Sequence, residues 1–147
     1  MSVKDYKQFN ALIGAEEEKI LKYFGKPTRS LNAVVLYKRD EGILALVFQA
    51  KGEKNCVTGL AFFSAAGEFE HAFGIELLDA ETVRKAQEVS TYQEKLDILG
   101  QPTADIGSGR TVLAYFAKDS TLLTLREAKD GGAKLSVIKL TDKEMWE

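Results

Sequence analysis

The sequence predicts an α+β fold of two tandem units, residues 1–74 and 75–147. Each runs helix, helix, antiparallel meander, with the sheets joined or abutting and helices on one face. Three observations predict this. A helix-ending phrase is written twice, each copy is followed by short apolar segments with polar turns between them, and one register lays much of the second half over the first.

The phrase is "LKYFGKPT" at 21–28 and "LDILGQPT" at 96–103. In the second copy Val89, Tyr92, Leu96 and Leu99 form one apolar stripe of a helix. Ser90 with Gln93, or Thr91 with Glu94, supplies a capping box at its start. Gly100 suits the left-handed position beyond the helix end, and Pro102 prevents the helix from resuming. In the first copy Ile13, Ile20, Leu21 and Phe24 precede Gly25 and Pro27. Its start is weaker: no hydroxyl cap is at hand, although Glu16, Glu17 and Glu18 suit the positive end of the helix dipole. Another helical piece precedes each main helix, "VKDYKQFNAL" (3–12) and "AETVRKAQEV" (80–89).

Strands are expected near 33–38, 43–50, 56–64 and 68–73, then near 111–117, 121–128 and 134–140. Short strands with tight turns indicate a meander. Gly25 and Gly100 lie 75 apart, but beyond the phrase the best register is 78, as if three residues were inserted around "DIGSG" (105–109). It lays Tyr37 over Tyr115 and Leu44 over Leu122, and the turn "KRDEG" (38–42) faces "AKDST" (117–121), one residue off that register.

Two helices and a meander, closed by "FGKPT" or "LGQPT", resemble the repeats of the β-lactamase inhibitory protein family. The small lipoproteins of outer-membrane assembly machinery share a related unit. The resemblance covers about Val3 to Leu140 and implies a fold and a style of protein binding. It does not imply lactamase inhibition, because that inhibitor is secreted and disulfide-tied, whereas this chain has a single cysteine, Cys56.

Composition narrows the partners. Apolar residues make up 45% and charged residues 29%, as in a folded globular protein. The net charge of −2 divides into +1 over residues 1–74 and −3 over 75–147. Neither half is a basic arm, which argues against nucleic acid or an anionic membrane as partner. No apolar run approaches the roughly 18 residues of a membrane span, and "MSVKDYKQFN" lacks a signal's apolar region. One cysteine suits a reducing compartment, so the expected location is the cytoplasm.

Chemical motifs are thin. "FGKPT" follows a helix and carries Pro27 where a phosphate-binding loop needs a hydroxyl. His71, the only histidine, lies beside Glu68 and Glu70 without a closed ligand set. Cys56 opens an apolar strand, as a small buried hydrophobe would. No cofactor, metal or catalytic set is expected. The 78 register matches Leu46 and Phe48 with Thr124 and Arg126, and a face that is polar in one unit is expected to meet solvent in both. Leu46, Phe48, Thr124 and Arg126 are therefore the expected contact residues of a non-catalytic module that binds a protein partner or a second copy of itself. The alternative is a small-ligand protein or enzyme with a pocket between sheet and helices, using Tyr37, Tyr115 and His71.

Overall fold

In the computed structural model, which describes residues 11–146, the repeated phrase ends a helix each time. Helix α1 spans Glu17–Phe24 and helix α3 spans Tyr92–Leu99. Gly25 (φ 79°, ψ −160°) donates its N–H to Leu21 O at 2.9 Å. Gly100 (φ 73°, ψ −146°) does the same to Leu96 O at 2.8 Å. The positive φ is as expected, but ψ is extended. Both glycines thus occupy the mirror-image extended region, which is more exclusive to glycine than the left-handed helical one. Pro27 and Pro102 follow, and each chain turns into a strand.

Of the two possible caps for α3, Thr91 and Glu94 form the box: Thr91 Oγ1 accepts from Glu94 N, and the Glu94 carboxylate accepts from Thr91 N. Helix α2, Ala80–Glu88, starts at Asp79, whose carboxylate accepts from Thr82 N at 2.8 Å. Helix α1 has no side-chain cap. The helical piece expected at 3–12 lies almost wholly outside the described residues.

Nine strands form two antiparallel sheets among the described residues. The first holds β1 (Arg29–Leu31), β2 (Val34–Arg39), β3 (Gly42–Lys51), β4 (Lys54–Ser64) and β5 (Phe69–Phe73), in that order. The second holds β6 (Ala104–Asp105), β7 (Leu113–Phe116), β8 (Thr121–Glu127) and β9 (Ala133–Lys139). The two short leading strands, β1 and β6, are additions to the expected set.

Three buried clusters define the layers. Ile20 and Phe24 of α1 cover Val35, Tyr37, Leu44, Leu46, Phe48, Leu60 and Phe62 on the outer face of the first sheet. The inner faces of the sheets meet: Val34, Leu36, Ala45 and Phe63 pack with Ala114, Phe116 and Leu122, and Leu140 and Met145 complete this core. Ala86 of α2 and Leu99 of α3 cover Tyr115, Leu123 and Leu125 on the outer face of the second sheet. The order is helix, sheet, sheet, helices. Each sheet carries helices on one face and abuts the other sheet with its opposite face.

This arrangement corrects the exposed-face assignment. Leu46 is fully buried and Phe48 is 6% exposed, both beneath α1. The cause is one residue in a turn. Arg39 pairs with Gly42 across a loop of Asp40 and Glu41, whereas Ala117 N bonds Thr121 O across Lys118, Asp119 and Ser120. Tyr37 therefore faces Leu44, while Tyr115 faces Leu123 rather than Leu122. Beyond the turn the equivalent of Leu46 is Leu125, and a one-residue slip moves every side chain to the other face. The links before β2 and β7 differ in length as well. Asn32 and Ala33 alone separate Leu31 from Val34, but Gly107 to Thr111 separate Ile106 from Val112.

Candidate functional site

On the inner face of the second sheet Leu122, Thr124 and Arg126 stand in a row along β8. Ile138, Ser136 and Lys134 of β9 lie directly opposite them. Leu122 and Ile138 join the core between the sheets. Thr124 and Arg126 are half-buried, and Ser136 and Lys134 are exposed. The first sheet thus covers one end of this face and leaves the other open.

The open end is cationic. Arg110, Arg126, Lys129 and Lys134, with Glu127 and Ala128, line a groove of about 260 Å³. An adjoining hollow of about 330 Å³ shares Arg110 and Glu127 and adds Tyr92 and Thr111. Among the described residues the ion pairs are Lys54 with Glu16, Arg84 with Glu81 and Glu88, and Lys139 with Asp119, so none involves the groove cations. Like charges directly opposite each other on a sheet are destabilising, and Arg126 faces Lys134 in just that way.

Local chemistry places each cation. Arg110 rides the long link between β6 and β7, and Asp105 organises that link: its Oδ1 accepts from Gly107 N at 2.9 Å and from Val112 N at 3.0 Å. Those two N–H groups hold the Asp105 carboxyl below its ordinary pKa, since they favour the charged form. Lys129 opens the turn between β8 and β9, where Asp130 and Gly131 take φ of 60° and 78°. An Asp-Gly pair accommodates such values.

Other expected residues serve the fold. Tyr37 donates to Gly25 O at 2.9 Å and Tyr115 to Gly100 O at 2.8 Å, so each hydroxyl anchors the helix stop that precedes its strand. Burial pushes the Tyr115 hydroxyl up to about 12. Burial also raises Tyr37, against the lowering influence of Arg39, whose guanidinium lies 5.3 Å from the ring centre. Tyr37 and Tyr115 belong to clusters on opposite sides of the paired sheets, and His71 lies on edge strand β5, so the three do not converge. Cys56 is buried at 7% exposure. The described residues contain no group of three His, Cys, Asp or Glu placed to hold a metal, and none of their helices is long and apolar enough to cross a membrane.

Two other polar features lie apart from this groove. A hollow of about 200 Å³ at the start of α1 is lined by Glu16, Glu17, Glu18, Glu53, Lys54 and Asn55, and Lys54 already pairs with Glu16 at 3.1 Å. Lys95 is buried and donates to Ala86 O and Val89 O, each at 2.7 Å. It thereby closes the carbonyl end of α2 and ties it to α3, a structural duty.

Of the four residues expected to contact a partner, then, Thr124 and Arg126 border an open surface and Leu46 and Phe48 do not. Arg110, Lys129 and Lys134 went unrecognised, because they sit in a link, a turn and an edge strand with no common spacing. The signal that could have found Lys134 is the hairpin at "KDGG" (129–132), which folds β9 back so that Lys134 meets Arg126. No family model matches this chain, and neither a curated protein nor a solved structure does.

Proposed function

We propose that this protein is a non-catalytic binding module that holds a partner protein along the open end of its second sheet. The observation that carries the reading is the uncovered row of Thr124 and Arg126 beside Ser136 and Lys134. The remaining sheet faces are largely taken up, by α1, by α2 and α3, or by each other. An exposed strip of sheet held from behind loses little freedom on binding, which favours association. Its hollows, of about 260 and 330 Å³, lie below and at the lower limit of the roughly 300–1,000 Å³ of ligand pockets. The resemblance to the repeats of a protein inhibitor supports the same style of binding.

The test is to isolate a partner by cross-linking and then measure its affinity for variants. Arg126→Ala should weaken binding by about 2 kcal/mol, as arginine anchors do, with the melting temperature little changed. Arg84→Ala, on the exposed side of α2, should bind normally. Loss of binding in Arg84→Ala but not Arg126→Ala would move the interface elsewhere. Turnover of a substrate that depended on His71 or Tyr115 would overturn the class.

A further inference from the structure

We infer that the groove at the open end of the second sheet recognises an acidic, carboxylate-rich segment of a polypeptide. This rests on reading the protein as a binding module. Four cations, Arg110, Arg126, Lys129 and Lys134, line one groove and make no ion pair among the described residues. Glu127 lines the groove too but forms an ion pair with none of the four, so one carboxylate stands among four cations and the groove is net positive.

Two features point to a ligand rather than to a solvated surface. Arg126 and Lys134 are set against each other by the hairpin register, at a cost in stability that a single acidic residue at either position would remove. Positions that break a local rule without local compensation are where function is expected. Further, the cations come from both strands and the turn of the β8–β9 hairpin and from the link between β6 and β7, and that link, which bears Arg110, is fixed by two hydrogen bonds to Asp105. The groove is therefore assembled by the fold.

The chemistry selects carboxylates on a chain. Two guanidinium groups offer forked donors that match a carboxylate bidentately. The groove shares Arg110 and Glu127 with the hollow lined by Tyr92 and Thr111, so the cationic surface extends beyond a single pocket, as an extended chain would need. A nucleic acid would call for a basic stripe over a basic domain. Here the cations form a local patch on a protein of net charge −2.

The experiment uses a fluorescein-labelled peptide of serine-spaced glutamates, followed by anisotropy and by amide shifts of the labelled protein. Binding should shift amides around Arg110, Arg126, Lys129 and Lys134, and should weaken steeply between roughly 50 and 500 mM salt. The glutamine version of the peptide should bind at least about tenfold more weakly. Lys134→Glu should raise the melting temperature slightly and weaken peptide binding at least about tenfold, because it turns a repulsive cross-strand pair into an attractive one. Arg126→Gln should weaken binding without a change of fold. Equal binding of the glutamine peptide would overturn the inference. So would tighter binding of inorganic phosphate or a single-stranded oligonucleotide, a wild type that merely self-associates at low salt, or a Lys134→Glu protein less stable than wild type. Failure of the glutamate peptide alongside a protein partner still lost in Arg126→Ala would refute acid recognition and leave the binding module standing.

Discussion

Replacing Tyr115 with phenylalanine should destabilise the protein at neutral pH and cease to do so in alkali. The Tyr115 hydroxyl is within a side chain only 2% exposed and donates to Gly100 O at 2.8 Å. Its loss removes one hydrogen bond and leaves a carbonyl unsatisfied, a cost of about 1 kcal/mol at pH 7. The pKa of the folded group, about 12, lies above the value of about 10 in an unfolded chain. The folded state holds the proton more tightly, so above pH 10 the unfolded state alone gains by releasing it. Tyr115 therefore contributes its stability in full below pH 10 and loses it as pH rises toward 12. Each unit in that window is worth about 1.4 kcal/mol, so by about pH 11 the wild type has given up roughly what its hydrogen bond contributed. Urea unfolding of wild type and Tyr115→Phe at pH 7, 9, 10 and 11 should give stability curves that converge and cross near pH 11. Groups common to both proteins cancel in the difference. A constant gap from pH 7 to 11 would refute the buried acid, and no gap at pH 7 would refute the hydrogen bond.

Other perturbations test separate features. Gly100→Ala should lower the melting temperature by roughly 3–9 °C, a purely backbone cost of about 1–3 kcal/mol for its positive φ with extended ψ, since no atom lies within 4 Å of the added carbon. Ser108→Ala in the exposed link should change it little. Lys95→Met should cost about 2 kcal/mol in denaturant unfolding, because two carbonyls of α2 lose a charged donor. Asp105→Ala should be less stable than wild type near neutrality. The gap should close as pH falls below about 3.9 toward the lowered pKa of the folded carboxyl, since the contribution is present above the unfolded value and lost on protonation.

The helices and longer strands were legible in sequence because each carries a self-contained signal: a glycine that must take positive φ, a threonine and glutamate at capping distance, an alternation long enough to count. Strands β1 and β6 are too short to show alternation and exist only as partners of β2 and β7. Which face of β3 is covered was not legible, because it turns on whether a loop holds Asp40 and Glu41 or has a third member, as Lys118, Asp119 and Ser120 do. Ser120 at φ 65° lengthens that loop without the glycine that would have announced it. The groove was half legible. Arg126 stood out as a polar residue in an apolar strand, but Arg110, Lys129 and Lys134 reach it from segments whose meeting depends on the register of β8 with β9 and on the Asp105 turn.

The core between the sheets also bears on how the molecule is made. The first sheet is fully written by Phe73, yet Val34, Leu36, Ala45 and Phe63 on its inner face are covered by Phe116, Leu122, Leu140 and Met145. The Trp146 indole N–H reaches back to Leu140 O at 2.8 Å, Met145 O accepts from the Arg29 guanidinium, and Lys38 lies 5.5 Å from the Trp146 ring centre. A ribosome making this chain thus exposes a sticky half-sheet for as long as the second half takes to emerge. Cutting the chain between Phe73 and Ala80 would strip Val34, Leu36, Ala45 and Phe63 of the apolar surface that covers them.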